Sequence, residues 1–284
     1  MHEIQEDEQK NEQSPSVSGT MTTALKSRSL SRLFGAGGIV LFFLVGAVAY
    51  MAQESMPGDP LYGVKTRITE PSVALLKVST ESRIAYRKTL MERRLHELGT
   101  LSHDNATTSE ETLGVVSARI GAHTTDTLSL LADSKLSSES KIQILTSVAG
   151  LSAAQDQLVR NTEEFTSMRD AVGAQRKEVG DALDQSIEAF VAEAPQESVQ
   201  AHLAAHIESV SQKVAMIAPG SEAHARVRAR MADAHESLLD GDTAAALDAV
   251  LRAESAIAVD GYLWGSERGE GEIPPPAPVT TEGQ

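Results

Sequence analysis

Residues 138 to 194 read SESKIQILTSVAGLSAAQDQLVRNTEEFTSMRDAVGAQRKEVGDALDQSIEAFVAEA and contain no proline. Ile144, Val148, Leu151, Leu158 and Phe165, then Met168, Val172, Val179, Leu183 and Phe190, recur three, four or seven apart, the period of one helix face. A periodic run of this length predicts a coiled coil or bundle, as one long helix or as two with a turn near Thr166 to Asp170. Beyond it, Pro195 resets the pattern. Val199, Leu203, Ile207, Val210, Val214 and Ile217 form a stripe closed by Pro219-Gly220, and Val227, Met231, Ala234 and Leu238 form the next. Asp240-Gly241-Asp242 joins that helix to one carrying Leu247, Val250, Leu251 and Ile257, which predicts an αα-hairpin. Toward the N-terminus, Leu113, Val116, Ile120, Thr127 and Leu131 keep the same period, as do Ile84, Met91, Leu95 and Leu98 behind a cap at Ser79. No segment alternates as a strand would, so the fold class is all-α.

Composition narrows the function. The 284 residues carry 25 Lys and Arg against 40 Asp and Glu, a net charge of -15 that disfavours nucleic acid as a partner. The absence of cysteine excludes disulfides, thiolate metal sites and cysteine nucleophiles. Aromatic residues are only 4% of the chain, as suits thin helical layers filled by Ala, Leu, Val and Ile.

Leu33 to Ala52, LFGAGGIVLFFLVGAVAYMA, is uncharged and long enough to cross a bilayer. Lys26, Arg28 and Arg32 precede it while Glu54 and Asp59 follow, which predicts a cytoplasmic N-terminus and an exported C-terminal part. Ala47-Val48-Ala49 also fits the end of a cleaved signal peptide, which would make the mature protein secreted and soluble. The expected organisation is a disordered cytoplasmic tail over 1–32, a transmembrane helix over 33–52, an elongated extracytoplasmic bundle of antiparallel helices and helical hairpins over 53–262, and a flexible Gly/Pro-rich tail over 263–284. Within the bundle, 56–101 forms a first part and 107–260 further helices.

Candidate sites are few. Pro57-Gly58-Asp59-Pro60-Leu61-Tyr62-Gly63-Val64-Lys65 predicts a turn at Pro-Gly, an N-cap at Asp59 and a helix beginning at Pro60, which Pro71 ends or kinks before the apolar run Val73 to Val78. Leu61 and Tyr62 are expected to anchor this start against Met91, Leu95 and Leu98. Eight bases between Lys65 and Arg94 suggest contact with anionic lipid or an acidic partner, or else a solvated face with compensating pairs Lys88–Glu92 and Arg93–Glu97. His202 and His206 stand four apart, a spacing at which two imidazoles share a metal, but Leu203 occupies the place of a zincin's glutamate and no third ligand is evident. No nucleophile elbow, phosphate loop or other catalytic motif is present, so neither an enzyme nor a cofactor is expected.

The stretch from Pro57 to Tyr62 with Val64-Lys65, followed by a helix bearing Arg83, Glu92-Arg93-Arg94-Leu95 and Glu97-Leu98, resembles the bacterial domain-of-unknown-function family numbered 5667. Its domains follow a membrane span, open with PGDxLYPVK and continue with an ERRLxEL helix; Gly63 stands here where the family usually has Pro. The resemblance is strongest over 56–101 and implies a membrane-anchored extracytoplasmic helical domain of a bacterium, with no established activity and no catalytic residues; the helical stripes and the missing catalytic motifs lead to the expectation of an interaction or structural module with an unknown protein partner. Some relatives are associated with sigma-factor regulation, so an anti-sigma-like signalling role is the alternative expectation.

Overall fold

The structure is a computed structural model that describes residues 46–48, 50–103 and 109–264. The chain divides into two compact units, Met1–Tyr50 and Met51–Gln284. In the first, the few described residues are helical. Among the described residues no helix is long and apolar enough to cross a membrane; most of the expected span, 33–45 and 49, lies outside them, as do the tails expected over 1–32 and beyond Trp264.

The second unit holds helices and, among the described residues, no strand. Helix α1 comprises Tyr62–Val64, a π-helical turn Lys65–Thr69 and Glu70–Leu75. It is followed by α2 Thr80–His103, α3 Glu110–Ala132, α4 Ser138–Asn161, a 3-10 turn Glu163–Met168, α5 Arg169–Glu193, α6 Gln196–Val214, α7 Glu222–Leu239 and α8 Thr243–Trp264. The proline-free run is thus two helices. Thr162 leaves the helical region at φ -113 and ψ 122, and Phe165 in the 3-10 turn is wholly buried.

Short side chains start most helices. The hydroxyls of Ser79, Ser109, Ser137 and Ser221 accept backbone N–H bonds from Ser82, Thr112, Ser140 and His224 at 3.1–3.2 Å, and Asp242 accepts from Ala245 at 2.9 Å. Each satisfies a donor that the first helical turn leaves free. Gly220 and Gly241, at φ 86 and 77, turn the chain before and after α7, and α7 and α8 form the expected hairpin.

Helices α4 and α8 form the centre. Ser255 Oγ donates to the Thr146 carbonyl at 3.2 Å, and a Cβ on Gly150 would come within 3.1 Å of the Ala258 Cβ, so the two backbones run side by side in the same direction. One apolar cluster joins Ile142 and Leu145 to Leu183, Leu203, Val227, Leu247 and Leu251; a second joins Met91, Leu95 and Leu98 to Val116, Ile120, Val148, Leu151, Phe165 and Val179. Most expected stripe residues are in these cores, but Leu238 is exposed.

Two expectations at the N-terminal end are corrected. Asp59 does not cap the following helix: Gly58, at φ 104, closes the Met56–Asp59 turn, and the Asp59 carboxylate accepts the Met56 N–H at 2.7 Å. The first α-helical residue is Tyr62 instead of Pro60. Nor does Pro71 end α1. It falls in the first turn after the π-helical segment, where Glu70 N–H already reaches back five residues to Lys65, and the widened turn absorbs the missing donor.

Candidate functional site

The PGDPLY segment and α1 are fastened to α2 by a buried ionic clasp. Tyr62, Lys65 and Glu70 share one face of α1, and Arg94 and Glu97 lie one turn apart on α2. Tyr62 Oη donates to Glu97 at 2.9 Å, and Lys65 Nζ donates to the other Glu97 oxygen at 2.6 Å and to the Ser55 carbonyl at 3.1 Å. The Arg94 guanidinium, wholly buried, bonds Glu97 with one arm and Glu70 with the other, and also donates to Tyr62 Oη at 3.2 Å. The Tyr62 ring has the cations of Arg94, Arg119 and Lys65 at 5.4, 5.6 and 5.7 Å from its centroid, contacts that the negative face of the ring favours.

Arg94 and Lys65 bond the two carboxylates, Glu97 and Glu70, and Arg119 adds a third positive charge beside the ring. Burial and the Glu97 carboxylate push the Tyr62 phenol well above its ordinary range, so it remains a donor. Burial opposes the charge on Arg94, yet Glu97 and Glu70 outweigh it and hold the guanidinium protonated. Nearly every polar atom here is partnered; Arg94 Nε is the buried exception. The side-chain bonds of the cluster run between α1, α2 and the chain before α1. They position chain against chain.

The other motif residues divide accordingly. Pro57, Gly58, Asp59 and Pro60 form the turn that delivers Tyr62, Leu61 and Val64 are half-buried beside it, and Leu95 sits in the apolar core. Arg93 is half-buried outside the clasp, so the expected Arg93–Glu97 pair is replaced by Arg94 and Lys65. The expected apolar seat for Tyr62 is a charged one for the same reason. The eight bases form no single surface: Lys65 and Arg94 are buried, Arg87 pairs with Asp126 at 3.1 Å, and Lys88 stands 3.8 Å from Glu92.

His202 and His206 lie edge to face with centroids 4.6 Å apart, but each turns its Nδ1 to a different carboxylate, Glu139 at 3.3 Å and Glu254 at 2.8 Å. Burial, then the neighbouring His206, lowers the pKa of His202. Glu254 also receives Lys213 at 2.5 Å, and the His206 bond is the main cause holding its carboxyl down at about 2. The Glu254 contacts tie α6 to α8, and His202–Glu139 ties α6 to α4. Among the described residues no group of three or more His, Asp or Glu is arranged to hold a metal. A cleft of about 740 Å³ between α3, α4 and α5 has Leu128, Leu131 and Leu145 in its wall; at its rim Lys177 pairs with Asp181 at 2.6 Å and Glu193 accepts from Ser138 at 2.9 Å.

No family model matches the chain, and no curated protein or solved structure matches it. The likeness to the family numbered 5667 therefore rests on the motif residues themselves.

Proposed function

We propose that the protein is a non-enzymatic, single-pass membrane protein of a bacterium whose extracytoplasmic helical domain serves as an interaction or structural module. The observation that carries this reading is the clasp. Lys65 grips the Ser55 carbonyl, three residues after the apolar stretch ends at Ala52, so the clasp holds the chain that follows that stretch. A buried ionic cluster at this place fits a device that fixes a domain to its anchor, and the motif that carries it is the part of the chain that resembles anchored relatives.

The absence of native cysteine makes the test direct. In intact cells a membrane-impermeant maleimide should label Glu236→Cys and leave Ser14→Cys unlabelled until the cells are opened. The opposite pattern reverses the orientation, and a mature protein that begins at Tyr50 replaces the anchor with a cleaved signal.

A further inference from the structure

The polarity of α1 is reversed relative to a helix on the surface of a water-soluble bundle. Its face toward α2 carries Tyr62, Lys65, Thr66 and Glu70, all buried. Its outer side carries Ile68 and Leu75, 58% and 85% exposed, with Pro71 also exposed, and the chain leaving it adds Leu76 at 77% and Val78 at 94%. An amphipathic helix in water turns its apolar stripe inward, and a contiguous exposed apolar patch marks a surface that something covers.

Two observations select what covers it. The chain between the apolar stretch and α1 is short and tied back: Ser55 N–H and Oγ both donate to the Ala52 carbonyl, at 3.2 and 2.6 Å, and Lys65 Nζ bonds the Ser55 carbonyl. The π-helical turn of α1 is therefore one side chain away from the end of that stretch. The patch is also bordered in sequence by Arg67, Lys77 and Arg83, which outnumber the exposed acid Glu81. Apolar groups alternating with bases are the composition of a helix lying in a headgroup layer.

We infer that α1 lies in the interface of the bilayer beside the anchor, with Ile68, Pro71, Leu75, Leu76 and Val78 against acyl chains and Arg67, Lys77 and Arg83 at anionic phosphates. The inference rests on the membrane-anchor reading above. It assigns lipid contact to an apolar face and three bases instead of to the whole basic segment.

The full chain is reconstituted in phosphatidylcholine/phosphatidylglycerol vesicles, with or without phosphatidylcholine brominated on its acyl chains. Trp264→Phe removes the single tryptophan, and one reporter is then added at a time. Leu76→Trp should lose about half of its emission to the brominated lipid, as a ring at the acyl boundary does, whereas Met216→Trp, exposed beyond α6, should keep its emission. Phe43→Trp separates the two readings. If it is quenched and Leu76→Trp is quenched no more than Met216→Trp, the anchor stands and the interfacial helix is overturned. Blue-shifted but unquenched emission from Leu76→Trp overturns it too, because protein then covers the patch. If Phe43→Trp is itself unquenched, the anchor fails and the inference falls with it.

Discussion

Two regions of this domain are held by opposite means. Between α1 and α2 the contact is made by Tyr62, Lys65, Glu70, Arg94 and Glu97, whereas between α4 and α8 it is made by close backbones and the small side chains around Gly150, Ser255 and Ala258. A buried charge must find its opposite or lose several kcal/mol, so the clasp fixes one register and tolerates no partial fit. An apolar interface tolerates repacking. The clasp thus supplies specificity and the bundle supplies the main share of burial.

Removing one member of each interface should separate the two roles. Glu97→Ala leaves Arg94 and Lys65 buried without their shared carboxylate and should cost about 3 to 5 kcal/mol. That loss should appear first as proteolytic cleavage between residues 53 and 79 while the far-UV helical signal persists. Leu251→Ala, in the heart of the bundle, should cost about 3 kcal/mol and lower the melting of the entire helical signal. Cleavage of both variants at the same sites would mean that the two regions unfold as one. Tyr62→Phe keeps the ring over its cations but removes the bond to Glu97, and chemical denaturation should register about 1 kcal/mol.

Acid should act on the molecule in two successive windows, with His202 of the bundle adding to the upper one. His123, set between α2 and α3 with Arg87, Arg94, Asp126 and Arg119 around it, is lowered from 6.5 to about 4 by burial and then by the cations. Its folded form prefers the neutral ring, so its contribution is whole above pH 6.5 and is lost as pH falls from there to 4. Glu254 in the bundle, lowered from 4.5 to about 2, keeps its contribution above pH 4.5 and loses it between 4.5 and 2. Melting temperatures should fall by several degrees across each window. His123→Asn should diminish only the upper one and Glu254→Gln only the lower. The smallest effect belongs to the turns: Gly58→Ala, strained at φ 104 but meeting no neighbour, should cost about 1 kcal/mol, like Gly241→Ala in the hairpin at φ 77.

Helix period and caps were legible because each depends on residues within a turn or two of one another. Ile84, Met91, Leu95, Leu98, Val148, Leu151 and Val179 could be assigned to the core from spacing alone. The clasp could not, since Tyr62 and Glu97 are 35 positions apart and Lys65 and Glu97 are 32, and an isolated charge in a sequence reads as solvated. A signal was nevertheless present: Arg94 falls on the inward stripe between Met91 and Leu98, where a charge is buried only with a partner. The exposed run of Leu75, Leu76 and Val78 was equally hidden, because an apolar residue in a helical period is taken to face inward and nothing local states the reverse.

Helix α8 is the last described element of the chain, and it lies against α4, α6 and α7 at once. Its Ser255 meets Thr146 across a separation of 109 residues. Until Leu247, Val250 and Leu251 are made, Ile142 and Leu145 lack part of their cover, so this core closes only once α8 is in place. The helix that completes this core therefore comes 109 positions after the strip of chain it covers, so closure depends on a distant segment and not on neighbouring helices alone.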